Sequence, residues 1–416
     1  MSLSSVVISG LGAASAAGLG REAQAQALAG AAPVPQEVDR SAGYHRPEGA
    51  RKALLVRDVA GLARWVPPME ARRLSRPSKL TVAAVRMALE DAELTADELA
   101  GPTAVVVATT FGPSEFTERI LQQILADGPQ GASPFLFTQS VANAPAAQVA
   151  MALSARGPNI TVTQRSAGAL IALGRAVEAV ASGRVQRAVV AAVEEVSPLL
   201  HAVLDRFGAL AGSSGGKGQA APGADEVARP FDRRRDGFLL AEGATALILE
   251  SEDAVAARGG SFLARCRLAV GAFDVDAPRS GWGEDPSVLL HRLRDRLAAA
   301  GLTTAHFDRV VAGASGTPAG DRLEGLLLRR LFDDAPPPVL APKGALGEYG
   351  GGLLAPAVLA ASGVPFGPTV GFQQEDPEIG LSPGAGEVLE PPRRVLASEL
   401  AAGGAAAWVV LEAPDA

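Results

Sequence analysis

Cysteine is almost missing: the 416 residues hold one, Cys266. A disulfide framework is therefore excluded, and the chain suits a reducing compartment such as the cytoplasm. Histidine is nearly as scarce, with His45, His201, His291 and His306 scattered along the chain, and no metal site is expected. Aromatic residues make up only 4%, so the interior has to be built from Ala, Val and Leu, with backbones close together. No long basic run occurs and the formal charge is −7, which argues against nucleic acid, whose binding needs clustered Lys and Arg. No apolar run of about 18 residues is free of glycine or charge, so no membrane span is expected. Residues 1–20 lack a basic stretch followed by a continuous apolar one, so no signal peptide is expected.

What is present is a long, apolar chain, 48% hydrophobic, sized for one large unit or two similar ones. Strand and helix patterns alternate. Ser4–Gly10 reads as a strand ending in a turn at Gly10-Leu11-Gly12. Pro77–Ala92 has helical apolar spacing. Thr103–Thr110 is a continuous apolar strand of the buried kind, followed by helix Ser114–Ala126. Asn159–Thr163 reads as another buried strand, and Ala167–Ser182 as a small-residue helix ended by Gly183. Strands follow at Ala188–Val193 and Ala244–Glu250, separated by a Gly/Ser/Ala-rich loop, Ala211–Asp225, expected to be mobile. The second half repeats the order: strand Val310–Ala314, helices Arg322–Phe332 and Gly351–Ala361, strand Ala405–Glu412. This alternation predicts an α/β fold, with halves at 1–250 and 251–416.

Several segments are specific. Val6-Val7-Ile8-Ser9-Gly10-Leu11-Gly12 opens the chain. Gly157-Pro158-Asn159 leads into Thr163-Gln164-Arg165-Ser166-Ala167-Gly168. Pro230-Phe231-Asp232-Arg233-Arg234-Arg235-Asp236-Gly237-Phe238 is followed by Ala241-Glu242-Gly243-Ala244. Ser315-Gly316-Thr317-Pro318 precedes Asp321 and Glu324, and Lys343 and Gly347 complete the set. Together they resemble the β-ketoacyl synthases over essentially the full length. The resemblance implies a thiolase-like fold: two similar βαβαβαβ halves in a five-layer αβαβα arrangement with two central sheets.

In that family a cysteine thiolate at a helix N-terminus accepts an acyl group from a carrier protein. Two histidines then stabilise the developing anions. Here the nucleophile position reads Ser166, the first histidine position Gly313 and the second Glu348. Glycine donates nothing, and an ionised glutamate repels an anion. Losing one such donor costs about 3–4 kcal/mol of barrier, so decarboxylative condensation is not expected of this subunit. Lys343, Glu242 and Asp321 read as scaffold polar groups satisfied internally, and Cys266 as a small hydrophobe in a strand.

Ser166-Ala167-Gly168-Ala169-Leu170-Ile171-Ala172-Leu173 resembles the pattern of the inactive partner in type II polyketide systems, the chain length factor or ketosynthase β-subunit. Glu115-Phe116-Thr117-Glu118-Arg119-Ile120-Leu121-Gln122 resembles its gate helix. The resemblance implies a heterodimer with an active ketosynthase, and carrier-protein phosphopantetheine thioesters as substrates, with no other cofactor. It also implies a role for Phe116 in closing the partner's acyl tunnel. Ser114 stands where that branch often has an aromatic, which implies a gate altered in depth or shape. Phe111, Phe135, Phe137, Gln139, Thr163 and Gln164 fall in segments that the resemblance puts near the interface, with plain packing the competing reading for each. The strand through Thr161–Gln164 is expected to continue the sheet into the partner. Two other readings stay open: an acyltransferase or hydrolase using Ser166, with Glu348 as its base, and a purely structural homologue.

Overall fold

The computed structural model describes residues 4–213, 225–384 and 392–416. Most of the predicted loop Ala211–Asp225 lies outside the described residues. The main strands are β1 (Val6–Ser15), β2 (Ala104–Ala108), β3 (Asn159–Val162), β4 (Arg187–Glu194), β5 (Gly243–Ser251), β6 (Ala264–Phe273), β7 (Arg309–Ala312), β8 (Val339–Leu340), β9 (Arg394–Leu400) and β10 (Ala405–Glu412). The helices that position the site are α1 (Arg76–Asp91), α2 (Ser114–Asp127), α3 (Pro134–Ser140), α4 (Ala144–Ala152), α5 (Gly168–Ala181), α6 (Pro198–Arg206), α7 (Ser287–Ala299), α8 (Pro318–Leu331), α9 (Lys343–Leu346) and α10 (Leu354–Ala361).

The strands run β3-β2-β4-β5-β1 in one set and β8-β7-β9-β10-β6 in the other. Adding five to each number of the first set gives the second. In both, the first three strands are parallel and the last two antiparallel. The two central sheets expected from sequence are joined: Val6–Ile8 of β1 pair with Cys266–Ala264 of β6, making one hydrogen-bonded path.

Three apolar cores separate five layers. Helices α1 and α4 cover the outer face of the first set through Val105, Val107, Val189 and Ile248. Helices α5 and α10 fill the middle, against Val106 and Val190 on one side and Val311 and Val409 on the other. Helices α7 and α8 cover the far face through Val310, Leu396 and Val410. Both faces of each set are covered, so the strands read as near-continuous apolar runs. The thiolase-like architecture is thus observed.

Three details differ from the sequence reading. The chain does not turn at Gly10-Leu11-Gly12; β1 runs on to Ser15. Those glycines serve a close approach of α1, since a Cβ on Gly10 would stand 2.2 Å from the Ala88 carbonyl oxygen and one on Gly12 2.0 Å from that of Ala84. Second, β3 is an outer strand with Asn159 and Ile160 exposed, because no described strand pairs with its far side. Third, Gly351–Leu353 form a turn before α10, with Gly351 so close to Thr245 that a Cβ would lie 2.6 Å from its Oγ1.

Gly12→Ala is expected to lower unfolding stability by about 2–3 kcal/mol, the cost of overfilling a packed interior. Gly271→Ala on β6, where an added methyl meets nothing within 4 Å, is expected to leave it unchanged. Urea unfolding of the two variants checks the contrast.

Candidate functional site

Helix α5 starts from a short 3₁₀ turn, Arg165–Ala167, at the end of β3. Arg165 takes a left-handed φ of 48°, a strained conformation for a residue with a side chain. Its guanidinium donates to the carbonyl oxygens of Ala402 (3.1 Å) and Arg279 (3.4 Å), tying the turn to the second half. This role for Arg165 was not readable from sequence. The turn presents Ser166, half-buried.

Opposite it, α9 ends at Gly347, with φ +72° and no room for a side chain: a Cβ would lie 2.8 Å from that of Ala241. Glu348 follows, its N–H donating to the Leu239 carbonyl and its own carbonyl accepting from Ala241 N–H. The Ser166 hydroxyl donates to Glu348 Oε1 at 3.0 Å. The Lys343 ammonium donates to Glu348 Oε2 at 2.8 Å and to Glu399 Oε1 at 2.7 Å. Glu399 arrives from β9 and is buried.

Gly313 closes the arrangement. A Cβ there would stand 2.7 Å from the Glu399 carboxyl, so Glu399 occupies the space a side chain at 313 would need. The Gly313 N–H donates to Glu324 Oε1 (3.2 Å), which also accepts from the Ser398 hydroxyl (2.6 Å). The structure thus gathers Ser166, Glu348 and Gly313 around Lys343, with Glu399 added. Sequence reasoning missed Glu399, whose strand also carries Arg394 and Ser398 and gives no local signal.

Burial works against the Lys343 ammonium, but its two carboxylate partners outweigh it and raise its pKa above the usual lysine range. Burial pushes the Glu399 carboxyl well above the usual carboxylate range, against the pull of Lys343. Burial likewise lifts Glu324 to about 7 and Asp321 to about 6, although Asp321 accepts from the N–H groups of Phe231, Ser315 and Gly316. Chemically the cluster is rich in acids, and its one ammonium is already engaged. It offers an arriving oxyanion no free donor at the 313 position.

The other predicted residues lie elsewhere. Glu242 is held by Arg76 and the Val56 N–H. Phe116 is buried on α2 with Ile120 and Leu136, its ring centre 6.4 Å from that of Phe135, and the Arg119 guanidinium lies over it. Gln139 is buried and accepts from the Ser75 N–H. Ser114 donates to Glu195 (2.9 Å), and its hydroxyl oxygen lies 2.9 Å from Ser197 Oγ. Phe111, Phe135 and Phe137 are 44%, 47% and 59% exposed, and Thr163 and Gln164 are exposed beyond the end of β3. Cys266 is buried in β6, its thiol pushed up to about 12 by burial. His45 and His201 bond to each other, His291 pairs with Asp295 and His306 caps a turn, so all four histidines are engaged outside the cluster.

A family model described as "Beta-ketoacyl synthase, N-terminal domain" matches residues 3–254. The chain belongs to the β-ketoacyl synthase family. The 3-oxoacyl-[acyl-carrier-protein] synthase 2 of Mycobacterium tuberculosis is 30% identical over 293 residues, covering 68% of this chain and 67% of that protein. Among solved structures, the ishigamide ketosynthase/chain length factor is 28% identical with a TM-score of 0.87, covering 99% of both chains. A type II PKS acyl-carrier protein in complex with its ketosynthase bound to the hexaketide matches in fold, with a TM-score of 0.84 at 20% identity over 99% of this chain and 100% of that one. No helix among the described residues is long and apolar enough to cross a membrane.

For this β-ketoacyl synthase family member, Lys343→Met is expected to lower stability by about 3–5 kcal/mol, because it leaves buried acids without their cation. Adding Glu399→Gln should recover part of the loss, as measured by urea unfolding at pH 7. Glu324 binds its proton more tightly folded than unfolded. Its contribution to stability is therefore present below about pH 4.5 and is lost as pH rises through about 7, a change of about 3 kcal/mol. Glu324→Gln should flatten that part of the stability–pH curve.

Proposed function

We propose that this chain is the non-catalytic, ketosynthase-like subunit, the chain length factor, of a β-ketoacyl-ACP synthase. It pairs with an active ketosynthase in the cytoplasm and shapes the acyl tunnel that sets polyketide, polyene or fatty acyl chain length. One observation carries the reading: Ser166, Glu348, Lys343 and Glu399 form a closed network, and Glu399 fills the space beside Gly313. A carbanion or oxyanion there would face carboxyl groups, with no thiol to hold the chain.

Two further features support pairing. Phe111, Leu121, Leu125, Phe135, Phe137, Met151 and Ile160 are all exposed within residues 111–160, and exposed apolar residues in such number mark an interaction surface. In the same stretch β3 offers an open edge, which natural proteins cover. A solved relative is itself described as a ketosynthase/chain length factor. We read residues 1–250 as the half bearing the elbow and the interface, and 251–416 as the half supplying Glu348 and Glu399. The substrates of the assembled enzyme are carrier-protein phosphopantetheine thioesters, and no other cofactor is required.

A second reading rests on the Ser166 to Glu348 hydrogen bond, the arrangement a serine acyltransferase or hydrolase needs. A carboxylate engaged by Lys343 is a weak base for a hydroxyl. Incubation with acyl carrier-protein thioesters followed by mass spectrometry decides it: an acyl adduct on Ser166 establishes the second reading, and none is expected.

Co-expression with the ketosynthase encoded beside it should give a one-to-one complex by native mass spectrometry. Condensing activity should appear only in that complex. A lone homodimer without activity on any partner would sink the proposal. In the complex, Phe116→Ala is expected to lengthen the product by at least one extension unit, read by liquid chromatography and mass spectrometry.

A further inference from the structure

Helix α2 enters the fold with an unusual attachment. Its N-cap residue is Pro113, and no side chain caps it locally. The first N–H groups of a helix lack partners within it and must find them elsewhere. Here a buried carboxyl just past the end of β4, Glu195, some eighty residues away, supplies a partner for one of them, and its neighbour Glu194 holds the loop that leads into the helix. Glu194 accepts from the N–H groups of Thr110 and Phe111 and from the Thr109 hydroxyl. Glu195 accepts from the Glu115 N–H at 2.7 Å and from the Ser114 hydroxyl at 2.9 Å. The same Ser114 hydroxyl lies 2.9 Å from Ser197 Oγ, which in turn caps α6 by accepting from the Leu200 N–H.

The apolar contacts of α2 are modest by comparison. Phe116 and Ile120 belong to a small cluster with Leu136, separate from the three main cores. What ties the first turn of α2 to the sheet is therefore polar. Phe116 is the third residue of the helix, within that first turn.

We propose that Glu195 is a positioning residue: by gripping the first turn of α2 it fixes where Phe116 stands, and so sets the length of chain the assembled enzyme releases. This rests on the chain-length reading above. It also accounts for Ser114, whose small hydroxyl side chain fits the space between Glu195 and Ser197, where a bulky ring would break both bonds. Burial pushes the Glu195 carboxyl up to about 7, so the neutral acid is well populated at neutral pH. Glutamine is then a close stand-in, since its carbonyl oxygen can accept the same two bonds.

The test uses the full chain co-expressed with the adjacent ketosynthase and carrier protein, with product lengths and total turnover measured separately. Phe116→Ala serves as the reference. Glu195→Ala is expected to move at least a third of the product to other lengths while total turnover stays within about threefold. Ser114→Ala should give a smaller shift in the same direction, and Glu195→Gln should keep the wild-type profile. If Glu195→Ala fails to fold, Ser114→Ala carries the decision, because it removes one hydroxyl only. An unchanged profile in the alanine variants, with Phe116→Ala shifted, overturns the role of Glu195 and leaves the chain-length reading standing. Equal shifts in Glu195→Gln and Glu195→Ala also overturn it. No shift in Phe116→Ala overturns the chain-length reading itself.

Discussion

The arrangement at the centre of this protein depends on one buried ammonium. Lys343 joins Glu348, which is hydrogen-bonded to the Ser166 elbow, to Glu399 on β9 in the second half. An uncompensated charge at such depth is strongly destabilising, so the positions around it are coupled. A histidine at 313 needs the space that Glu399 fills, and removing Glu399 takes away one of the Lys343 partners. Gly313, Glu399, Lys343 and Glu348 therefore form one interlocked group. Through the Ser166 to Glu348 hydrogen bond it also ties the elbow to the second half of the fold.

The region around α2 and α3 works differently. Phe116 is buried, yet its cluster is small and set apart from the main cores, and the neighbouring Phe111, Phe135 and Phe137 reach solvent. Polar links to Glu195, just past β4, hold the start of α2 in place.

Much of this was legible in sequence. The alternation of strands and helices follows from residue order alone, while the positions Ser166, Gly313 and Glu348 were singled out only through the family resemblance. The rest depended on tertiary neighbours. Gly10 and Gly12 look like turn residues in sequence, and only the approach of α1 shows why a strand needs them. Asn159–Val162 has strand character in sequence; its edge position is implied only by the family resemblance, and the exposure of Asn159 and Ile160 comes from the sheet order. Glu399 and Glu195 are ordinary acids in the sequence. Their importance comes from partners at residues 343 and 114–115, beyond the reach of any local pattern.

The joint between β1 and β6 has a consequence for how the molecule is made. The strand nearest the start of the described chain ends up in the interior of the sheet, hydrogen-bonded to β5 on one side and to β6 on the other. Its partners in β5 begin at Gly243, so on a ribosome adding roughly 5–20 residues per second it waits on the order of 10–50 s for them. Such distant pairing is slow to form. Throughout that wait only the last two residues of Val6–Ser15 have a partner strand, the short Gly18–Leu19 segment that follows it. An early strand of this protein thus waits for its main partner until long after it has itself been made.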